Sequence, residues 1–565
     1  MQAPLAGRAR PVTDPPGNLF TRSLRRPWWP WAVPFAAVLG VLLARNAFLF
    51  STPLYEDADM GANSILIEQA RRFTLLVGNY SRERFNHPGP ALLYVQSWGE
   101  SLLWSGLHAV PTPWNGQLIA VYTLNALFAA SVVAVAYGWT RSVRGAAAAF
   151  AAVALLGALH PAVFSSDWMP YEYVLAYLAF CVAITSVAAG RTRDLPVAAV
   201  TGWFCLHGHA SFLLFVPALA GCALAALAWP RRRRLPAALR SFALTRRRDW
   251  GPALVISALF LVPIAAELAL HWPGNFAKYV GYGSSGNAGA HGFGQSVRYV
   301  LWFWWPGARP WAAALALYAG AVAAAWWCRG PARRFCRFLV GFGTISTALI
   351  VVYAAVGVDE IYQHYIEYFA WTAPVVMVLA IAIALVEAVP AAGRVTAAAV
   401  TAVAVGAAVT ALAVFAASPL ARTSTSRTDP SPGSVSTGAN TDPALPAGVA
   451  RLRAQAGGRP VVLVINGNAW QEMTGILVQS ERMNVTACVS KPMWTFMVTS
   501  QFICSPRELA SGVAFTVSLP MAVPRRAPVV FRFARATVTA RPGLPWRHGE
   551  FRGRDGYHRG PRNVA

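Results

Sequence analysis

Tyr55-Glu56-Asp57-Ala58-Asp59 stands just beyond a long apolar run from Trp28 to Phe50, broken near its end by Arg45 and Asn46. The run is long enough to cross a bilayer, which takes roughly 20 apolar residues. Three carboxylates at the mouth of such a span do nothing to anchor it. Charge held near the membrane plane is costly, so carboxylates kept there mark a candidate functional site. The bland alternative is an acidic outer loop in solvent, and the rest of the chain has to decide between the two.

Of the 565 residues, 56% are hydrophobic and 13% charged, a composition that excludes a soluble domain with an ordinary surface and indicates a polytopic membrane protein. The net charge of +25 does not point to nucleic acid, because the basic residues fall in short runs between apolar stretches. These runs are Arg25-Arg26, Arg141/Arg144, Arg191/Arg193, Arg231 to Arg234, Arg246 to Arg248 and Arg333/Arg334/Arg337. This is the pattern that places positive loops on the cytoplasmic side and attracts anionic headgroups. The first span exceeds a signal-peptide core and is followed by no small-residue cleavage site, so it reads as a retained helix.

Hydropathy gives about eleven helices, at 28–50, 113–139, 145–160, 171–189, 195–207, 211–229, 250–271, 310–328, 338–357, 371–390 and 395–417. With a cytoplasmic N-terminus (1–27, a basic tail), every basic run falls inside. The loops 51–112, 161–170, 272–309 and 358–370 fall outside, as does everything after 418. Residues 418–455, rich in Ser, Thr, Pro and Gly, read as a flexible linker. Residues 456–540 read as a small α/β domain with strands at Val461 to Ile465, Val485 to Val489, Val513 to Leu519 and Val529 to Val538, and an amphipathic helix from Trp470 to Arg482. The Arg/Gly-rich remainder, 541–565, reads as disordered. Of seven cysteines, Cys488 and Cys504 fall outside and are expected to form a disulfide, and no CxxC metal spacing occurs. The expected architecture is therefore mainly α, a transmembrane helical bundle with a C-terminal extracytoplasmic α/β domain.

The first outer loop is too long for a connector. Met60 to Thr74 has the spacing of an amphipathic helix at the membrane surface. After it, Phe85-Asn86-His87-Pro88-Gly89-Pro90 forces a bend and opens a second helix at Ala91, since proline suits a first turn. An acidic pair after the first transmembrane helix, a surface helix, then Phe85-Asn86-His87-Pro88-Gly89-Pro90-Ala91-Leu92-Leu93-Tyr94 resembles the GT-C glycosyltransferases, in particular the protein O-mannosyltransferase and aminoarabinose transferase superfamily. In that family a first-loop carboxylate is the catalytic base. Here the usual Asp-Glu pair is replaced by Glu56-Asp57-Ala58-Asp59, and a Gly is inserted in the proline segment, so the resemblance offers both Asp57 and Asp59 as the base and Glu56 as a substrate contact.

The resemblance implies an inverting transferase that takes a sugar from a polyprenyl-phosphate donor to a glycan, lipid or protein acceptor. Such a reaction needs one carboxylate to deprotonate the acceptor hydroxyl and cations to stabilise the leaving phosphate. Asp57 and Asp59 are also candidate ligands of a hard divalent metal (Mg, Mn or Ca). For the phosphate, the scarce outer cations are the candidates, above all Lys278 and Arg298 in a loop with Gly281-Tyr282-Gly283-Ser284-Ser285-Gly286 and Trp302-Phe303-Trp304-Trp305, while Arg71, Arg72, Arg82 and Arg84 are phosphate candidates or else headgroup contacts. His87 joins them from the proline segment. Asp167 is a sugar or metal contact or else a helix cap, and His364 and Tyr365 are phosphate or sugar contacts or else interfacial anchors. His207 and His209 have metal-compatible spacing without further ligands.

A transporter or flippase of lipid carriers is the competing reading. It calls for repeats and broken helices with midplane polar residues, of which Glu267 is the main example. A non-catalytic scaffold leaves the acidic loop unexplained. High Ala and Arg content points to a GC-rich bacterium with an elaborate envelope, where a multi-pass chain is expected in the plasma membrane. No Gly-rich phosphate loop follows a strand in the membrane part, so neither a soluble nucleotide donor nor nucleic acid is expected as a partner.

Overall fold

The structure, a computed structural model, describes residues 27–230, 247–284, 289–305, 307, 309–388, 394–418, 439–440, 443–466, 469–523 and 527–541. The basic tail expected at 1–27 and the one at 541–565 lie almost wholly outside these residues, as do Ser285 and Gly286 of the Gly-rich segment.

Helices occupy every expected span: Trp29–Arg45, Pro113–Thr140, Val143–Leu159, Met169–Ala188, Leu195–Gly208, Phe212–Ala228, Arg247–Leu270, Pro310–Trp327, Ala332–Val356, Thr372–Ala388 and Arg394–Ala417. Among the described residues, 7 helices are long and apolar enough to cross a membrane, and Trp29–Arg45, Val143–Leu159 and Phe212–Ala228 are shorter apolar helices. The chain is a multi-pass membrane protein. Pro113–Thr140 and Met169–Ala188 are apolar all round and buried along almost their whole length, as befits central helices. Arg247–Leu270 and Pro310–Trp327 keep most of their surface free of protein, which leaves it for lipid.

The described members of the basic runs between the spans gather at one end. Arg191 lies against Gly138 and donates to the Val135 carbonyl, while Trp139 stacks on Phe335 beside Arg333 and Arg334. The long loops and the C-terminal domain meet at the other. Glu267 sits there too, not at the midplane. It is one turn from the end of Arg247–Leu270, and its carboxylate accepts the Asn275 N–H at 3.0 Å. It therefore caps the next helix, Gly274–Ser284. The one residue that favoured a transporter thus has a structural task.

In the C-terminal domain the sheet runs in the order Ala487–Val489, Val461–Asn466, Val513–Ser518, Ala536–Ala540, Val529–Phe533, parallel in the first three strands and antiparallel thereafter. The helix is Trp470–Arg482, at the expected bounds. Two differences from the sequence reading matter. The expected strand 529–538 is two strands, because Ala534 takes a left-handed φ of 53° and the chain reverses there. The expected linker ends early: Ala444–Ala456 is a helix whose Leu445, Val449 and Leu452 are buried in the domain core. Pro446 and Gly448 hide its periodicity, and Gly448 is needed because a Cβ there would lie 2.2 Å from the Phe531 ring.

Cys488 and Cys504 are bonded across 16 residues. Closing a loop of that size stabilises by about 3 kcal/mol. Thiol labelling of the unfolded chain should find five reactive cysteines before reduction and seven after, and Cys504→Ser should lower the domain's unfolding free energy by roughly 2–4 kcal/mol. Seven thiols without reductant would refute the bridge.

Candidate active site

The first loop builds the site. After a short 3-10 turn, Ala47–Phe50, the chain runs as a two-residue strand, Tyr55–Glu56, and enters the helix Ala58–Arg71. This is the expected surface helix, but it is covered: nearly all of Met60 to Ala70 is buried, with Ala62 and Ile65 inside the core of the C-terminal domain. The second helix, Ala91–Gly99, begins after Pro90 and continues as a π-helical segment to Gly106. Between the two helices, residues 78–87 fold back on themselves. Gly78 N–H donates to His87 O at 2.9 Å, His87 N–H to Asn79 O at 2.8 Å, and Ser81 N–H to Phe85 O at 2.7 Å. The inserted Gly89 has a steric reason, since a Cβ there would stand 2.3 Å from Nδ1 of His207.

This hairpin forms one wall of a cavity of about 560 Å³, within the range of small-ligand sites. The opposite walls come from Trp168 and Tyr173, His209 to Ser211, Tyr279 and Tyr282, Tyr353 with Asp359 and Tyr365, and Trp470, Phe496 and Met497 of the C-terminal domain. The helix Gly274–Ser284 is held against the hairpin because Tyr279 OH donates to Asn86 O at 2.5 Å.

The acidic residues part company. Asp59 lines the cavity, and its two oxygens accept from Tyr80 OH and, at 2.8 Å, from Trp168 Nε1. These donors fix the plane of the carboxylate and leave lone pairs toward the cavity. Asp57 is 1% exposed and lies against Gly475 of the C-terminal domain, outside the cavity wall. Glu56 is paired with Arg482 at 2.6 Å. Sequence spacing could not separate the three, and the helix start at Ala58 does.

Arg82 is the guanidinium on the cavity wall. It holds Asp359 through both carboxylate oxygens at 2.7 and 2.6 Å, Glu360 at 3.2 Å, Gln363 at 2.8 Å and the Tyr365 hydroxyl at 3.1 Å. These partners raise its already high pKa further, against the burial that opposes its charge. Burial pushes the neighbouring Glu83 carboxyl up.

His87 is buried at the cavity edge. Its Nδ1 accepts the Ala210 N–H at 3.2 Å, so the ring proton sits on Nε2, which has no hydrogen-bond partner among the described residues. Its ring lies 4.4 Å from that of His209. Burial, then the neighbouring His209, drives the His87 pKa well down, and burial alone takes His209 to about 4. Both are neutral at pH 7.

Seen whole, the bundle, the covered first loop and the domain over it have a counterpart. The fold is similar to that of ArnT. The crystal structure of ArnT from Cupriavidus metallidurans bound to undecaprenyl phosphate superposes with a TM-score of 0.52 at 13% identity, over 91% of this chain and 98% of that one. The apo structure of the same protein gives 0.53 at 14%, over 90% and 97%. ArnT is an aminoarabinose transferase with the GT-C fold, so the expected architecture is the observed one. No protein-family model and no curated protein sequence matches the chain.

The ArnT-like arrangement does not bring every expected residue to the cavity. Lys278 and Arg298 are exposed on their helices and lie off its wall, because Tyr279 and Tyr282 turn inward on the one helix and Tyr299 and Phe303 on the other. His364 is held between rings, 4.1 Å from Trp302 and 5.1 Å from Tyr299, which matches the anchor alternative. Its loop partner Tyr365 does line the cavity. Asp167 is buried behind the wall, accepting Trp114 Nε1 at 2.6 Å, with its pKa pushed up to about 7 by burial. Arg82, which the sequence offers as a phosphate or headgroup contact, does line the cavity. A divalent metal shared by Asp57 and Asp59 does not suit these positions, since one faces the cavity and the other the domain. Among the described residues no group of three or more His, Cys, Asp or Glu converges as a metal site.

The buried histidines predict a pH dependence. The folded pKa of His209 is depressed to about 4 from an unfolded value of about 6.5. The unfolded chain therefore binds more protons between those values, and stability rises with pH. It is fully present above about pH 6.5 and lost as pH falls toward 4, a change on the order of 2–3 kcal/mol. Thermal unfolding in detergent at pH 7 and pH 4.5 should show the drop, and His209→Gln should flatten it; an equal drop in the variant would reject this source.

Proposed function

We propose that this chain is an integral-membrane glycosyltransferase that moves a sugar from a polyprenyl-phosphate donor to an acceptor at the extracytoplasmic face of a bacterial plasma membrane. One observation carries the reading: in a single aromatic-walled cavity at the loop end of the bundle, the oriented carboxylate of Asp59 shares the wall with the guanidinium of Arg82. The likeness in fold to ArnT, one structure of which is bound to undecaprenyl phosphate, supports the donor class. The gathering of the basic runs at the opposite end supports a cytoplasmic N-terminus and an extracytoplasmic cavity.

In this mechanism Asp59 takes the proton of the acceptor hydroxyl as the oxygen attacks the anomeric carbon. The bond from that carbon to the phosphate oxygen breaks, and its electron pair leaves on the polyprenyl phosphate. Attack opposite the leaving group inverts the anomeric centre. Arg82 stabilises the phosphate as it leaves, and the neutral His87 donates from Nε2. The aromatic walls exclude water, which would otherwise intercept the sugar, and suit a sugar ring.

The test is turnover. The full chain in lipid vesicles, given radiolabelled undecaprenyl-phosphate-linked monosaccharides and a cell-envelope extract, should release undecaprenyl phosphate and label an acceptor. Turnover with a nucleotide sugar alone, or none with any lipid-linked sugar, would reject the proposal.

A further inference from the structure

The C-terminal domain grips the acidic segment at three consecutive residues. At Glu56, the side chain pairs with Arg482 at 2.6 Å, and the backbone pairs with Ala439 of the segment that leads into the domain. At Asp57, the chain passes so close to the domain helix Trp470–Arg482 that a Cβ on Gly475 would stand 2.9 Å from Glu56 O and 3.1 Å from Asp57 Cβ. At Ala58, the carbonyl accepts the Thr474 hydroxyl at 2.9 Å. The approach is mutual, since a Cβ on Gly61 would meet Thr474 Oγ1 at 2.7 Å.

Ala58 has a φ of 52°, left-handed geometry that a residue with a Cβ adopts only where its surroundings impose it. That residue opens the helix on which Asp59 is next. The direction in which Asp59 leaves the backbone is thus set at a turn whose contacts belong to the domain. Arg482 is the hub. Its side chain is 9% exposed, and it reaches Glu68 at 3.5 Å as well as Glu56. Glu68 pairs with Arg71, which pairs with the buried Glu100 at 2.9 Å. A buried guanidinium between two carboxylates tolerates little displacement, because each group left unpaired is penalised by lost solvation.

We propose that the C-terminal domain is a clamp on the catalytic segment and that Arg482 is a positioning residue that sets Asp59 in the cavity. The inference rests on Asp59 as the base, but the clamp itself is measurable without turnover.

Hydrogen exchange of the full chain in lipid nanodiscs reads the clamp directly. Arg482→Gln should speed exchange of the amides at 55–61 about tenfold while the central helices stay protected. It should lower kcat about 10²-fold, with KM for the undecaprenyl-phosphate-linked donor within about twofold. Arg482→Lys keeps the charge and should recover part of both. Thr474→Val, a milder change, should move both in the same direction. Arg535→Gln breaks an ion pair internal to the domain, to Glu472, and should move neither. Unchanged exchange at 55–61 in Arg482→Gln and Thr474→Val would overturn the clamp. Faster exchange with unchanged kcat, or an effect on KM alone, would overturn the positioning role. Should the wild-type chain turn over no lipid-linked sugar, the proposed function fails and the exchange data still decide the clamp.

Discussion

Asp59→Asn is expected to reduce sugar transfer by about three orders of magnitude while leaving the fold and lipid binding in place. The amide keeps the shape of the carboxylate and still accepts from Trp168 Nε1, so the cavity wall survives. What it loses is the capacity to take the acceptor proton, and general-base catalysis contributes about 10²–10⁴-fold. The loss should fall on kcat, because the missing interaction is made only in the transition state. Asp57→Asn is the informative partner: it lies against Gly475 rather than on the cavity, so its effect should be at least about tenfold smaller. Undecaprenyl phosphate binding, followed by thermal shift, should be the same in both variants. Equal losses, or full turnover in Asp59→Asn, would reject Asp59 as the base.

Arg82→Ala should be the next most damaging change, with a loss of about 10²–10³-fold in kcat/KM for the lipid-linked donor. The guanidinium performs two tasks. It supplies positive charge on the wall of the cavity, and it ties the first-loop hairpin to Asp359, Glu360 and Gln363 some 280 positions away in the chain. Arg82→Lys separates the tasks: a lysine keeps the charge but has one nitrogen, where the guanidinium holds Asp359 with one and Glu360 and Gln363 with another. Lysine should therefore restore phosphate binding better than it restores turnover. If Arg82→Ala binds undecaprenyl phosphate with unchanged affinity, the phosphate contact lies elsewhere.

The parts of this molecule written in local patterns were open to reading. Spans of apolar residues, Pro-Gly-Pro before Ala91, the amphipathic Trp470 to Arg482 and the parity of Cys488 and Cys504 each carry their information within a few residues. The site was legible only as a neighbourhood. Whether Asp57 or Asp59 faces the cavity depends on a left-handed residue between them, and alanine gives no hint of it. Arg82 looks in sequence like any arginine beside a membrane, and its partners lie in a loop far along the chain. Lys278 and Arg298 were attractive because their loop is rich in glycine and tryptophan, yet the helices formed there turn their tyrosines to the interior and their cations to solvent. The helix Ala444–Ala456 was lost to its own proline and glycine.

The pairing between the first loop and the domain helix has a consequence for how the protein is made. Arg72 and Glu481, in contact at 2.9 Å, are 409 positions apart. At about 5–20 residues per second, a ribosome takes on the order of 20–80 s to travel from one to the other. During that interval Glu56 and Glu68 have no Arg482, and the turn at Ala58 lacks its contact with Thr474. A nascent chain with its whole bundle inserted would still lack a finished site. A cavity with Asp59 held by the clamp therefore arrives only once the domain has folded onto the first loop.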